Sequence, residues 1–85
     1  MKILYFAWVR ERVGVSSEDI SRPAHVGTVG DLIVWLSARG GGYDEAFANM
    51  EHVRAAVNQE HVDTSFPLGD NDEIAFFPPV TGGRR

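Results

Sequence analysis

The sequence predicts an α+β fold in which a mixed sheet packs on one main helix. Three observations predict it. The chain has 85 residues, the length of a single domain. Runs rich in β-formers lie near both ends, at Lys2–Trp8 and Glu73–Phe77. Between them, a strong helix start signal at Thr28 precedes an apolar run.

Lys2–Trp8 (KILYFAW) reads as the first strand. Alternation places Ile3, Tyr5 and Ala7 on one side and Lys2, Leu4, Phe6 and Trp8 on the other. Both sides are largely apolar, so one faces the core and the other needs a cover. Val9–Gly14 is a charged connection with a helical turn ending at Gly14, and Glu18–Arg22 is a second strand stopped by Pro23. Thr28-Val29-Gly30-Asp31 matches a capping box. The helix it opens extends to Arg39 and puts Val29, Leu32, Ile33 and Leu36 on one face. Gly40-Gly41-Gly42 ends that helix. A short helix follows over Tyr43–Met50, then a strand at Val53–Gln59, a turn at Asn58–Glu60 and a short strand at His61–Thr64. Pro67–Asp72 is turn chemistry. Glu73–Phe77 is the last strand, and Pro78-Pro79 stops it because proline cannot donate to a ladder. Two early strands, a crossing helix and later strands form a β-grasp pattern, one that periodicity alone does not separate from other small α+β folds. The expected organisation is one domain over 1–81 and a flexible tail over 82–85.

Composition narrows the function classes. A domain this small has a modest core and little room for a deep substrate pocket, which favours a binding module or carrier over an enzyme acting alone. With no cysteine, the chain has no disulfide, thiolate metal site or cysteine nucleophile. The net charge of −4 and scattered basic residues lack the basic stripe of a nucleic-acid binder. No apolar run approaches a membrane span, and the start of the chain reads as a strand rather than a signal peptide. A cytoplasmic location is expected.

Other constellations are weak. His25, His52 and His61 have no metal-ligand spacing, so they read as loop or surface residues and no metal is assigned. The three glycines after the helix lack the strand-to-helix position and the lysine of a phosphate loop. Asp70, Asp72 and Glu73 do not meet the calcium-loop pattern and read as a solvated turn, with an acidic docking surface as the second reading.

The end of the chain carries the most specific signal. Pro78-Pro79 stiffens the exit from the last strand. Gly82-Gly83 then lacks side chains that would resist a narrow channel. The segment Leu68–Gly83, LGDNDEIAFFPPVTGG, closely resembles the C-terminal signature of the small subunit of molybdopterin synthase, the MoaD family. Phe6-Ala7, Val9-Arg10-Glu11 and Val13-Gly14 resemble that family's first strand and following turn, and Ala55–Gln59 its central strand.

The resemblance implies a ubiquitin-like sulfur carrier in molybdenum cofactor biosynthesis. An activating enzyme uses ATP to adenylate the carboxylate of Gly83, and a sulfur donor converts the adenylate to a thiocarboxylate. The tail then enters the large subunit of the synthase, expected as a heterotetramer, and gives sulfur to the pterin precursor. No cofactor is bound by the carrier, and the active site is expected on the large subunit. Gly82 supplies slimness, while Pro78, Pro79, Val80 and Thr81 line the mouth of the partner's channel. Phe6, Arg10 and Phe77 form the docking surface; ordinary core packing is the alternative for the two phenylalanines. The resemblance breaks at Arg84-Arg85, which follow the second glycine where the family ends. Two other functions remain open: a carrier for another acceptor, such as the thiamine thiazole or a tRNA base, and a non-catalytic interaction module.

Overall fold

The computed structural model describes residues 1–79. Five strands, β1 (Lys2–Tyr5), β2 (Ser17–Asp19), β3 (Arg54–Val57), β4 (Glu60–Val62) and β5 (Glu73–Phe77), form one sheet in the order β2-β1-β5-β3-β4. The central β1–β5 pair is parallel, and the other three pairs are antiparallel. This mixed sheet with a crossing helix is the expected β-grasp.

The main helix, α2 (Val29–Ser37), starts as its sequence dictates. The Thr28 hydroxyl accepts from the Asp31 N–H at 3.1 Å, and the Asp31 carboxylate accepts from the Thr28 N–H at 3.2 Å. A cap of this kind stabilises a helix by about 1 kcal/mol. Val29, Leu32, Ile33 and Leu36 are all buried, so the expected face is the one that packs.

Several boundaries differ from the sequence reading. The first strand ends at Tyr5 rather than Trp8. Ala7 adopts φ 54°, a left-handed conformation, and turns the chain into a helix, α1 (Ala7–Val13), over the segment read as a charged connection. Gly14, with φ 92°, caps it. The second strand is Ser17–Asp19, earlier than Glu18–Arg22, because its register against β1 pairs Leu4 with Ser17 and Lys2 with Asp19. Arg39 lies beyond the last turn of α2. The segment Tyr43–Met50 divides into a short helix, α3 (Tyr43–Ala46), and a separate 3₁₀ turn at Met50–His52. Asn58 and Gln59, with φ 51° and 73°, make the two-residue hairpin turn between β3 and β4, which shortens the strand read through Gln59. The returning strand, read as His61–Thr64, is the hairpin's other arm and starts at Glu60, directly after that turn.

One face of the sheet carries the core. Ile3 and Tyr5 of β1, Ile74 and Phe76 of β5, and Ala55 and Val57 of β3 join Val9 and Val13 of α1, the packed face of α2 and Ala46 of α3 in one cluster. At its β2 border, the Glu18 carboxylate accepts from the hydroxyls of Tyr5 and Tyr43, each at 2.7 Å, and from Arg39 Nη1 at 3.0 Å. Burial, then the Glu18 contact, pushes the Tyr5 phenol well above its ordinary range and keeps it protonated.

Candidate functional site

The opposite face of the sheet has no covering layer among the described residues. Register places Leu4, Ala75, Ala56 and His61 side by side across four strands, with Phe77 opposite Arg54 in the next row. None of these residues belongs to the core cluster. Leu4, Ala75 and Phe77 are half-buried, and the His61 and Phe77 rings form a T-shaped pair with centroids 5.2 Å apart. Lys2 beside Glu73 and Arg54 beside Phe77 give the apolar strip a charged rim.

Phe6 extends this strip. Its N–H donates to the Phe76 carbonyl at 3.0 Å, continuing the parallel ladder one step past β1. Its side chain is 47% exposed, which excludes core packing. Arg10 stands one helical turn further along α1, where its N–H donates to the Phe6 carbonyl at 3.3 Å, and it is exposed. Phe77 is half-buried on the same outer face. The structure therefore brings Phe6, Arg10 and Phe77 to neighbouring positions around the end of the central β1–β5 pair.

Pro78 and Pro79 follow directly and are half-buried. With Trp8 and His52 they line a cleft of about 240 Å³, smaller than a typical small-molecule site. The proposed site residues Val80, Thr81, Gly82 and Gly83, together with Arg84 and Arg85, lie outside the described residues. Sequence reasoning missed Trp8 as a neighbour of this exit, since alternation put it on a strand. The apolar i, i+1, i+5 pattern of Trp8, Val9 and Val13 was the available signal for a helix, but it covers only two turns.

A surface concavity of about 550 Å³ is lined by Met1, Asp19–Arg22 and Asp70. It shares no residue with the outer strip or the proline stem, and Arg22 and Asp70 pair within it at 2.8 Å. Asp72 accepts from the Gly69 N–H and from Asn58 Nδ2, which identifies the acidic turn before β5 as a hydrogen-bonded one. Among the described residues, no group of three His, Cys, Asp or Glu side chains is placed to hold a metal ion. No helix among them is long and apolar enough to cross a membrane.

A small β-grasp domain whose outer sheet face has no covering layer among the described residues, and whose central last strand runs into Pro78-Pro79, has the architecture of the ubiquitin-like class. Comparison with known proteins narrows it. The ThiS family model matches residues 3–83. The chain is 42% identical over 83 residues to a molybdopterin synthase sulfur carrier subunit from Escherichia coli, covering 98% of this chain and 99% of the relative. It is 39% identical over 84 residues to the subunit of the same name from Dictyostelium discoideum, covering 96% and 94%. Among solved structures, a chain of the Amycolatopsis orientalis BexX/CysO complex has the same fold, with a TM-score of 0.70, 21% identity and coverage of 96% and 98%. The chain belongs to the ThiS family, as a ubiquitin-like sulfur carrier of the MoaD type.

Proposed function

We propose that the chain is the sulfur carrier subunit of a molybdopterin synthase and acts in molybdenum cofactor biosynthesis through a thiocarboxylate at Gly83. The observation that carries this reading is the near full-length similarity to molybdopterin synthase sulfur carrier subunits, with a family match that runs through the Gly82-Gly83 pair. The chemistry suits a chain without cysteine. The Gly83 carboxylate attacks the α-phosphate of ATP on an activating enzyme, and pyrophosphate leaves. Sulfide supplied by a donor attacks the acyl carbon, AMP leaves, and the terminus holds C–S in place of C–O. The large synthase subunit receives the tail. The thiocarboxylate sulfur attacks a carbon of the pterin precursor and displaces an oxygen substituent. Water then cleaves the acyl–sulfur bond, leaving sulfur on the pterin and returning the Gly83 carboxylate. No side chain of the carrier acts as nucleophile.

The described residues serve docking in this scheme. Phe6, Arg10 and Phe77 meet the partner through the outer sheet face, and Pro78-Pro79 deliver the tail to its channel. Fully desolvated aromatic anchors often dominate such interfaces. Neither ATP nor the pterin has a site on the carrier, and both belong to its partners.

In the 85-residue chain, Gly83 is joined to Arg84 by a peptide bond. An acyl-adenylate requires a free carboxylate at that carbon, so the competent form ends at Gly83 after Arg84 and Arg85 are removed. The test compares purified proteins ending at Gly83 and at Arg85, each incubated with ATP, activating enzyme and sulfur donor, with proteases excluded. Intact mass should show oxygen replaced by sulfur only in the shorter protein. The loaded protein should then convert the pterin precursor when mixed with the large subunit. Equal sulfur loading of an intact 1–85 chain would sink the precursor idea. Loading without pterin conversion would redirect the carrier to another acceptor, and no loading of either protein would leave an interaction module.

A further inference from the structure

Trp8 has no role in the scheme above, yet its placement is unusual. The left-handed turn at Ala7 takes it off the sheet and onto the first turn of α1. There its partly buried ring lines the small cleft that also contains Pro78 and Pro79. The Arg12 guanidinium, one turn further along α1, lies 5.8 Å from the ring centroid, within cation–π range. The ring thus packs against the core and shares one cleft with the exit of β5.

We propose that Trp8 is a positioning residue for the Pro78-Pro79 stem, its indole backing the two prolines so that the stem keeps one direction relative to the domain. This rests on the carrier reading. Only four residues separate Pro79 from the sulfur-bearing end, a reach of about 13–14 Å when extended. Each proline fixes one backbone torsion, but two fixed torsions do not orient a segment relative to the domain; a wall beside the prolines does. With the sheet face docked, a stem held against Trp8 confines the terminal carboxylate to a smaller volume in front of the partner's reacting centre. Orientation of this kind accelerates the chemical step without adding to docking affinity.

The test uses the protein ending at Gly83 as the substrate of the activating enzyme, with thiocarboxylate formation followed by intact mass. Trp8→Ala should lower kcat for sulfur loading roughly tenfold and leave the half-saturating carrier concentration within about twofold. Trp8→Phe, which keeps a flat apolar wall, should restore most of the rate. Trp35→Ala removes a partly buried indole from α2, away from the stem, and should load normally. A second readout examines the contact itself in the full chain. With Trp35→Phe leaving Trp8 as the single indole, replacing Pro78-Pro79 by Gly-Gly should red-shift its emission. A wild-type kcat in Trp8→Ala, an equal fall in Trp35→Ala, no rescue in folded Trp8→Phe, or an unmoved emission would each overturn the assignment. If the unsubstituted protein takes no sulfur, the carrier reading fails first and this inference falls with it.

Discussion

The hydroxyl of Tyr5 donates to Oε2 of Glu18 at 2.7 Å, and the hydroxyl of Tyr43 donates to the same oxygen at the same distance. Arg39 pairs with the other carboxylate oxygen at 3.0 Å, and its guanidinium lies 4.5 Å from the Tyr43 ring centroid. One carboxylate thereby joins β1, β2, the segment after α2 and α3. Burial acts to raise the Glu18 pKa, but hydrogen bonds from Tyr43, Tyr5 and Arg39 outweigh it and hold the group below its ordinary 4.5.

The sign of the pH dependence follows. A carboxylate whose pKa is depressed in the fold lends stability that is fully present above its unfolded pKa and is lost as pH falls through the folded one. Glu18→Gln should therefore destabilise the domain by about 1.5–3 kcal/mol near neutral pH, the range for hydrogen bonds to a charged group. The gap between wild type and variant should narrow as pH drops below 4.5. Denaturant melts across acid pH check this, and a gap that stays constant down to about pH 3 would refute it.

Leu32 and Val34 lie two residues apart on α2 and differ completely in burial, with exposures of 0% and 70%. Leu32→Ala should cost roughly 2–5 kcal/mol from lost burial and a cavity. Val34→Ala should stay near the surface range of about ±0.5 kcal/mol. Equal effects would mean that the helix packs through a different face.

Gly42 and Gly41 both have positive φ, 104° and 60°. A Cβ at Gly41 would meet nothing within 4 Å, whereas a Cβ at Gly42 would overlap the Arg12 carbonyl oxygen at the end of α1. Gly41→Ala should cost about 1–2 kcal/mol from the left-handed backbone alone. Gly42→Ala must also push α3 away from α1, so its loss should be clearly larger. Thermal melts of the two variants give the comparison, and equal losses would show that α1 and α3 do not meet closely at this glycine.

What was legible in the sequence was local. Thr28 and Asp31 are three residues apart, and their reciprocal bonds define the helix start without help from the rest of the chain. Glu73–Phe77 was equally plain because Pro78 marks its end. The stop of β1 at Tyr5 was not legible, since it depends on a left-handed alanine where composition favours continued strand. Phe6 also gives α1 no side-chain cap. The second strand was misplaced because its limits come from register against β1. The Glu18 cluster gathers residues 5, 18, 39 and 43, and the Trp8 cleft joins residues 8, 52, 78 and 79. Such groupings exist only after the sheet order is set. At the candidate site, alternation grouped Phe6 with Leu4 on one side of the first strand without deciding which side faces out, and the proposed functional end at Gly82-Gly83, legible through motif resemblance, lies outside the described residues.

Phe6 and Phe77 should separate binding from folding to different degrees. Phe6 is nearly half exposed and belongs to no packed cluster. A charge there should leave stability within roughly 1 kcal/mol of wild type. If a large partner covers the outer face, burying that charge without a partner is costly. Phe6→Glu should then weaken binding to the large synthase subunit by about 2 kcal/mol or more, near thirtyfold, as loss of an aromatic anchor does. Phe77 is more enclosed, with His61 in a T-shaped pair and Arg54 opposite, so Phe77→Glu should lower both stability and binding. Val15, exposed on the loop after α1 and absent from the strip, provides the control. Val15→Glu should leave affinity within about 0.5 kcal/mol. Titration calorimetry on folded fractions, alongside thermal melts, measures both quantities. A Phe6→Glu protein that melts early yet binds with unchanged affinity per folded molecule would place Phe6 in the fold rather than the interface, and the outer sheet face would lose its claim as the docking surface.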